Sequence, residues 1–279
     1  MPVIEVNGAQ LNYFDSGSPA NGVPGALVLV HGFSGSSYDW MDHTAWLAEQ
    51  RRVVTYDQRG HGDSGHPGDY SLRQLSADLE TLLDSLDVQD VVLVGHSMGG
   101  VVVQDFALRR TESVRGLILM DTWAGGRIGL ADDVRMLYEA SAHIAREQGM
   151  QVVHELREQV AANLPENEAG KRLVAERPEI AELNDRCFLG MDPEAYAALI
   201  LEGLTGAVPD MLAEIAGLDV PRLVIVGEAD APFVPAGRRY EAALGAGHVE
   251  WIPDAGHSPQ FEAPKAWRAA VEGFLGSLG

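Results

Sequence analysis

Short runs of branched apolar residues recur along the chain, and segments of helical periodicity lie between several of them. Runs of this kind are typical of strands that are buried on both faces of a parallel sheet. The predicted strands cover residues 26–30, 52–56, 91–95, 117–121, 222–227 and 248–253. The predicted helices among them cover 39–50, 72–86 and 267–275. This alternation predicts an α/β domain built from β–α–β units with right-handed crossovers.

The two ends of this pattern differ from its middle. The first 17 residues predict two short alternating strands around a turn at Asn7-Gly8. Between about 124 and 216 the strands stop, and a loop of that length would be unusual in a compact domain. Helical patterns in this segment cover 131–148, 150–163 and 193–203. We therefore predict a core domain formed by 1–123 and 217–279, interrupted by a helical cap at 124–216.

Composition restricts the possible partners. The chain has 279 residues and a formal net charge of −21, which disfavours binding to nucleic acid or to an anionic membrane. Its single cysteine, Cys187, allows no intrachain disulfide, and no metal-type cysteine cluster is present. Neither a signal peptide nor an apolar stretch of membrane-spanning length is found in the sequence. We expect a cytoplasmic protein with a small-molecule substrate; the sequence does not specify an oligomeric state.

One serine stands in a turn between a predicted strand and a predicted helix. Residues 91–103 read VVLVGHSMGGVVV, in which Gly95 and Gly99 flank Ser97 in the pattern G-x-S-x-G. In a strand–turn–helix context this pattern holds the serine hydroxyl out of the sheet edge, at the start of a helix that favours negative charge. Ser97 is therefore the candidate nucleophile.

A serine nucleophile needs a base, and the base needs an orienting carboxylate. His257 follows the strand 248–253, so it should lie at the same sheet edge as Ser97 and is the candidate base. Asp230, just after the strand 222–227, is the first candidate for the carboxylate. Asp121 is the second candidate, and Glu228 is a further rival. Two other histidines are assigned no catalytic role: His96 is expected to point away from the crevice, and His61 to stabilise a turn.

The oxyanion of an acyl transfer needs hydrogen-bond donors. The backbone N–H of Met98, directly after the nucleophile, should supply one of them. The other should come from the glycine-rich loop 31–37, where we assign it to Phe33, with Ser34 as the alternative. Aromatic residues near these positions predict an apolar pocket between core and cap. Trp123 and Phe233 are assigned to substrate binding, whereas Phe188 is expected at the contact surface between core and cap.

Five motifs together resemble the α/β-hydrolase-fold superfamily, in particular its esterase, enol-lactonase and cofactor-free haloperoxidase group. They are VLVHGFSGSS (28–37), YDQRGHGDS (56–64), VGHSMGG (94–100), VGEAD (226–230) and DAGHSP (254–259). The resemblance implies a mostly parallel central sheet flanked by helices, with an inserted helical cap. It also implies that Asp57, Arg59 and Gly60 brace the loops around the site, and that neither a metal nor an organic cofactor is required.

The expected function is that of a serine hydrolase that cleaves a small, largely apolar carboxylic ester or lactone through an acyl-enzyme. Ser97 argues against the dehalogenases and epoxide hydrolases of this fold, which carry aspartate at that position. Carbon–carbon hydrolases usually have asparagine where His96 stands. The menaquinone-pathway synthase usually has arginine where Val101 stands. These two enzymes remain alternatives, as do a haloperoxidase or perhydrolase, cofactor-independent oxygenation by a His/Asp dyad, and a ligand receptor of this fold.

Overall fold

The central sheet has eight strands and is mostly parallel. The computed structural model describes residues 1–17, 23–161 and 168–279. The strands are β1 (Val3–Val6), β2 (Ala9–Asp15), β3 (Ala26–Val30), β4 (Arg52–Tyr56), β5 (Val91–His96), β6 (Val114–Met120), β7 (Arg222–Gly227) and β8 (Val249–Ile252). Their order is β1-β2-β4-β3-β5-β6-β7-β8. β2 pairs antiparallel with β1 and β4, and all other neighbours are parallel. The predicted α/β architecture is therefore confirmed.

Helices cover the sheet and fill the segment between β6 and β7. They are α1 (Met41–Ala48), α2 (Leu72–Ser85), α3 (Met98–Arg109), α4 (Asp132–Gln148), α5 (Met150–Ala161), α6 (Glu168–Glu176), α7 (Pro178–Gly190), α8 (Pro193–Leu199), α9 (Leu212–Gly217), α10 (Val234–Leu244), α11 (Pro259–Glu262) and α12 (Pro264–Ser277). Short 3-10 turns lie at Ser37–Trp40, Thr111–Ser113 and Ala246–His248, and a π-helical turn at Ile200–Leu204 follows α8. None of the described helices combines the length and the apolarity that crossing a bilayer requires.

The two faces of the sheet are both buried, which explains the continuous apolar runs. In β3, Val28 and Val30 pack into the layer that contains α2 and α3. Leu27 and Leu29 on the same strand pack into the opposite layer, with Trp267 of α12. Because side chains alternate across a strand, a strand covered by helices on both faces needs apolar residues at every position.

Three of the predicted strands have the observed boundaries. β3, β4 and β7 coincide with the predicted runs, whereas β6 begins three residues earlier than predicted, at Val114. The helices α6, α7, α9, α10 and α11 were not predicted. The predicted helix 150–163 ends in residues outside those described. Helices dominate the described part of 124–216, and the domain boundaries themselves stay a prediction.

Polar contacts attach the helical segment to the loops at the carboxyl ends of the strands. The backbone N–H of Asp192, which caps α8, donates to the Gly60 carbonyl over 3.0 Å. The Glu202 carboxylate, in the π-helical turn, accepts from the backbone N–H of Leu72 over 2.8 Å. Tyr70 donates its hydroxyl to the Asp192 carboxylate. These contacts place α8 and the π-helical turn beside the sheet edge that carries the candidate site.

Candidate active site

Ser97 occupies a strained turn between β5 and α3. Its backbone has φ 52° and ψ −119°, a conformation that L-residues rarely adopt. The flanking glycines are required by space: a Cβ at Gly99 would overlap the carbonyl oxygens of Val30 and His31, and one at Gly95 would overlap Val103. The sequence therefore folds locally into the nucleophile turn predicted from G-x-S-x-G.

Four of the eight described non-glycine residues with positive φ lie at this end of the sheet. Ser34, Ser97, Asp121 and Asp254 all have positive φ, between 42° and 57°, and follow β3, β5, β6 and β8 respectively. Each costs roughly 1–3 kcal/mol unless the surrounding structure enforces it. Such strain collects at functional sites, which agrees with the position of the candidate residues.

His257 and Asp230 are hydrogen-bonded to each other. The Nδ1–H of His257 donates to Oδ2 of Asp230 over 2.7 Å. The Asp230 side chain is 4% exposed and the His257 side chain 38% exposed. The ring of Phe233 stacks on the imidazole, with 4.7 Å between centroids. Of the rivals, Glu228 is exposed to solvent, and Asp121 accepts a hydrogen bond from the Gly227 N–H instead.

The Ser97 hydroxyl forms no hydrogen bond to the His257 ring in the part of the chain that the structure describes. The two residues are nonetheless neighbours through shared contacts. Phe233 stacks on His257 and lines the same cavity as Ser97. His96, directly before Ser97, packs its ring 4.8 Å from that of His257. Nucleophile–base hydrogen bonds are often long in unliganded enzymes and tighten when substrate binds.

The expectation that His96 points away from the crevice is wrong. Its Nε2 lies 2.7 Å from the carbonyl oxygen of His257, because the loop after β8 passes over the end of β5. Burial, followed by the nearby His257 ring, lowers the pKa of His96 to about 3. The ring is therefore neutral at physiological pH, and its Nε2–H donates to that carbonyl. His96 thus fixes the backbone of the candidate base.

A second support for His257 was missed in the sequence. The Glu262 carboxylate, at the end of α11, accepts from the backbone N–H groups of Gly256 (2.6 Å) and Ser258 (3.3 Å). These two residues flank His257 in the chain. The signal that could have revealed it is a carboxylate one helical turn after Ser258, a spacing that lets a side chain satisfy N–H groups at a helix start.

The two candidate oxyanion donors come from the start of α3 and from the loop after β3. Met98 is the first residue of α3, so its N–H has no acceptor within the helix. Phe33 lies in a turn closed by the hydrogen bond from Gly35 N–H to the Gly32 carbonyl. A Cβ at Gly32 would stand 3.1 Å from the Ser97 Cβ, which brings this loop against the nucleophile turn.

The loop that carries Phe33 is held by a buried carboxylate. Asp57 accepts from the backbone N–H of Ser37 (2.7 Å), the Asn12 amide (2.8 Å) and the Asp63 N–H (2.9 Å). Hydrogen bonds from Ser37, Asn12 and Asp63, together with the neighbouring His31, lower the Asp57 pKa although burial alone would raise it. Arg59 pairs with Asp78 in the same region. Asp57 thus has the bracing position that the resemblance implied, whereas Arg59 binds α2 and the loop before it.

A small cavity adjoins Ser97. Its volume is about 20 Å³, room for roughly one water molecule. It is lined by Phe33, Ser97, Met98, Trp123, Ile128, Leu199, Gly203, Leu204 and Phe233. None of these side chains is charged. In this structure the cavity is therefore smaller than an ester substrate.

Only two of the three assigned aromatic residues line this cavity. Trp123 and Phe233 line the cavity, with 6.0 Å between their rings. The indole N–H of Trp123 is buried and has no hydrogen-bond partner among the described residues. Phe188 lies outside the lining, where it contacts Tyr196 edge-on at 5.6 Å and the Arg157 guanidinium.

A larger groove lies elsewhere on the surface. It has a volume of about 510 Å³ and is lined by residues of the β1–β2 turn, α2 and the loop before α2. It shares no lining residue with the cavity at Ser97. Its cation, Arg59, is already paired with Asp78. Among the described residues, no group of three His, Cys, Asp or Glu side chains is placed to hold a metal ion.

Comparisons with known proteins agree with this fold. A model of the alpha/beta hydrolase family matches residues 27–271. A Bacillus subtilis (strain 168) protein, provisionally named a 2-succinyl-6-hydroxy-2,4-cyclohexadiene-1-carboxylate synthase, is 29% identical over 262 residues, 91% of each chain. A thermophilic esterase from Thermogutta terrifontis has a TM-score of 0.79 at 27% identity, over 100% of this chain and 99% of its own. The enol-lactonase from Burkholderia xenovorans LB400 has a TM-score of 0.79 at 29% identity, over 98% and 99%.

Proposed function

Because this chain belongs to the alpha/beta hydrolase family, we propose that it is a serine hydrolase that cleaves a small, largely apolar carboxylic ester or lactone. The observation that carries the proposal is the 2.7 Å hydrogen bond between His257 and the buried Asp230, at the sheet edge where Ser97 begins α3. Similarity to an esterase and an enol-lactonase over nearly the whole chain supports the same reaction class.

The mechanism follows from the roles that these positions allow. Ser97 Oγ attacks the carbonyl carbon while His257 Nε2 accepts its proton, and Asp230 stabilises the imidazolium. The N–H groups of Phe33 and Met98 stabilise the oxyanion of the tetrahedral intermediate. The protonated His257 then donates its proton to the leaving alkoxide oxygen, which gives the acyl-enzyme. Water, deprotonated by the same ring, releases the acid and restores Ser97.

The cavity lining supports an uncharged substrate. No cation is among the nine lining residues, and a buried carboxylate without a partner is strongly unfavourable. The name of the B. subtilis relative specifies a carboxylate product. Val101 of α3 stands where that kind of synthase usually has arginine, so this chain lacks the expected carboxylate-binding side chain there. These points favour ester or lactone hydrolysis over the synthase reaction.

Hydrolysis of p-nitrophenyl acetate and butyrate tests the proposal. We expect turnover by the wild type and a loss of roughly 1000-fold or more in Ser97→Ala, as when a triad nucleophile is removed. Ser277→Ala, the same change on exposed α12, is the matched control and should retain full activity. Retention of activity in Ser97→Ala would overturn the serine mechanism. So would a wild type that neither hydrolyses these esters nor forms a covalent adduct at Ser97 with a fluorophosphonate.

A further inference from the structure

A second carboxyl group lies behind the His257–Asp230 pair and has no role in the mechanism above. Asp121 follows β6, and its side chain is fully buried. Its backbone N–H donates to the Ile225 carbonyl over 2.9 Å, and its Oδ1 accepts from the Gly227 N–H over 2.8 Å. Two bonds to β7 thus hold the carboxyl in one orientation, with the backbone at φ 42°.

The environment of the other carboxyl oxygen, Oδ2, bears on the protonation state of Asp121. Among the described residues, Asp121 Oδ2 accepts no hydrogen bond, although it is buried. The Asp121 carboxyl lies within hydrogen-bonding distance of the Asp230 carboxyl. Two ionised carboxylates in such contact repel each other, whereas one shared proton turns the contact into a hydrogen bond. Burial, followed by the charge of Asp230, raises the pKa of Asp121 well above its ordinary range.

We propose that Asp121 is a positioning residue that remains protonated at neutral pH and donates its O–H to the Asp230 carboxylate. This inference deepens the proposed function, since it names what holds Asp230 in place. Asp230 then accepts from two sides, from Asp121 behind it and from the Nδ1–H of His257 in front. A carboxylate fixed by two donors cannot rotate away from the imidazole.

The other ionisable groups around Asp121 agree with a neutral side chain. Glu262, from α11, is a further carboxyl whose charge disfavours ionisation of Asp121. His257 lies beyond Asp230 and hydrogen-bonds to that residue. An ionised Asp121 would place a second negative charge near the imidazolium that forms during catalysis.

The first test is the titration of the His257 ring by NMR in the wild type and in Asp121→Asn. Asparagine is neutral, can accept from Gly227 and can donate to Asp230, so it reproduces a protonated Asp121. We expect the His257 pKa to change by less than about 0.3 units. If Asp121 is ionised, loss of its charge should lower the His257 pKa by roughly one unit or more, and the proposal is overturned.

Infrared spectra of the wild type give a readout that does not require turnover. The pKa of Asp39, raised by burial, is about 7, so that group is largely ionised at about pH 8.5. At this pH the wild type should retain a protonated-carboxyl band, and the band should be absent from Asp121→Asn. A wild type without such a band contradicts the proposal even if the variant fails to fold.

Kinetics separate positioning from simple packing. Asp121→Ala should lower kcat on p-nitrophenyl butyrate by about tenfold or more, because Asp230 loses one of its donors. Asp121→Asn should recover most of this loss. Equal losses in the two variants would refute the positioning role. If the wild type has no esterase activity but the NMR and infrared results are as expected, the proposed function fails and the protonated Asp121 stands.

Discussion

The Nδ1 of His257 lies 2.7 Å from Oδ2 of Asp230, and this contact joins the loops that follow two neighbouring strands, β7 and β8. The carboxylate is buried, whereas more than a third of the imidazole is exposed. Burial holds the Asp230 carboxylate in place. The hydrogen bond that this carboxylate accepts selects the His257 tautomer with the proton on Nδ1. The other ring nitrogen, Nε2, is then left as an acceptor, as the proposed mechanism requires.

Replacement of Asp230 by asparagine tests this relationship. The new side chain would present an amide to Nδ1 and favour the wrong imidazole tautomer, so we expect kcat to fall by about three to four orders of magnitude. The measurement is steady-state hydrolysis of p-nitrophenyl butyrate. Glu228→Gln is the matched control, because it removes an exposed carboxylate from the same loop, and its kcat should stay near that of the wild type. A tenfold loss or less in Asp230→Asn would mean that another group orients His257.

The hydrogen bond from His96 to the His257 backbone gives a second prediction. His96→Ala removes the donor, so the loop that carries the base should shift and kcat should fall, by up to about 100-fold for a displacement of 1 Å. His96→Gln keeps an N–H donor near the position of Nε2 and should recover much of the activity. The melting temperatures of both variants serve as the folding control. If kcat is as low in His96→Gln as in His96→Ala, the hydrogen bond from His96 does not position His257.

Substrate charge gives a third prediction. We expect kcat/KM for p-nitrophenyl butyrate to exceed that for p-nitrophenyl hemisuccinate by at least about 100-fold. The hemisuccinate has a similar chain length but would place a carboxylate in a cavity without a cation, which costs several kcal/mol. The two esters share one leaving group, so the ratio reports on the acyl side alone. Equal values would show that the acyl chain does not enter the apolar cavity.

Acid should destabilise the protein through buried neutral histidines. Arg268 Nε donates to His43 Nδ1 over 3.0 Å, and His43 Nε2 donates to the Gln260 carbonyl over 2.9 Å. Burial lowers the pKa of His43 to about 4 from its ordinary value of 6.5. Between these values the unfolded chain binds more protons than the folded one. The free energy of unfolding should therefore fall as the pH drops through this range, by about 2 kcal/mol for His43 between pH 7 and 5.

Urea unfolding of the wild type and His43→Gln at pH 7 and 5 checks this sign. Burial also lowers the pKa of His61 and His96 to about 3, and these residues add to the loss. Burial raises the pKa of Asp39 to about 7, so protonation of this group increases the free energy of unfolding as the pH drops. This gain is about as large as the loss from one of the histidines. The drop in stability should be about 2 kcal/mol smaller in His43→Gln than in the wild type. The control His248→Gln, at an exposed site, should leave the drop unchanged; equal drops in all three proteins would refute the assignment.

Local sequence determined the parallel strands and the turn at Ser97. Strands buried on both faces are mostly apolar along their length, so the runs in β3, β4 and β7 are visible without a structure. Only glycine fits at Gly95 and Gly99, where a Cβ would overlap neighbouring atoms, so this turn also has a sequence signature. Chain order then places His257 and the candidate carboxylates at the same edge.

Tertiary structure decided which of those groups meet. Asp121 and Asp230 both follow neighbouring strands, and sequence alone left both open as partners of His257. The Gly227 N–H binds the carboxyl of Asp121, which leaves Asp230 to contact the imidazole. The direction of His96 likewise depends on the loop after β8, which is far away in sequence. The hydrophobic periodicity of the sequence indicates which faces of a strand are buried. The orientation of a polar side chain depends instead on hydrogen-bond partners that only the folded chain brings near.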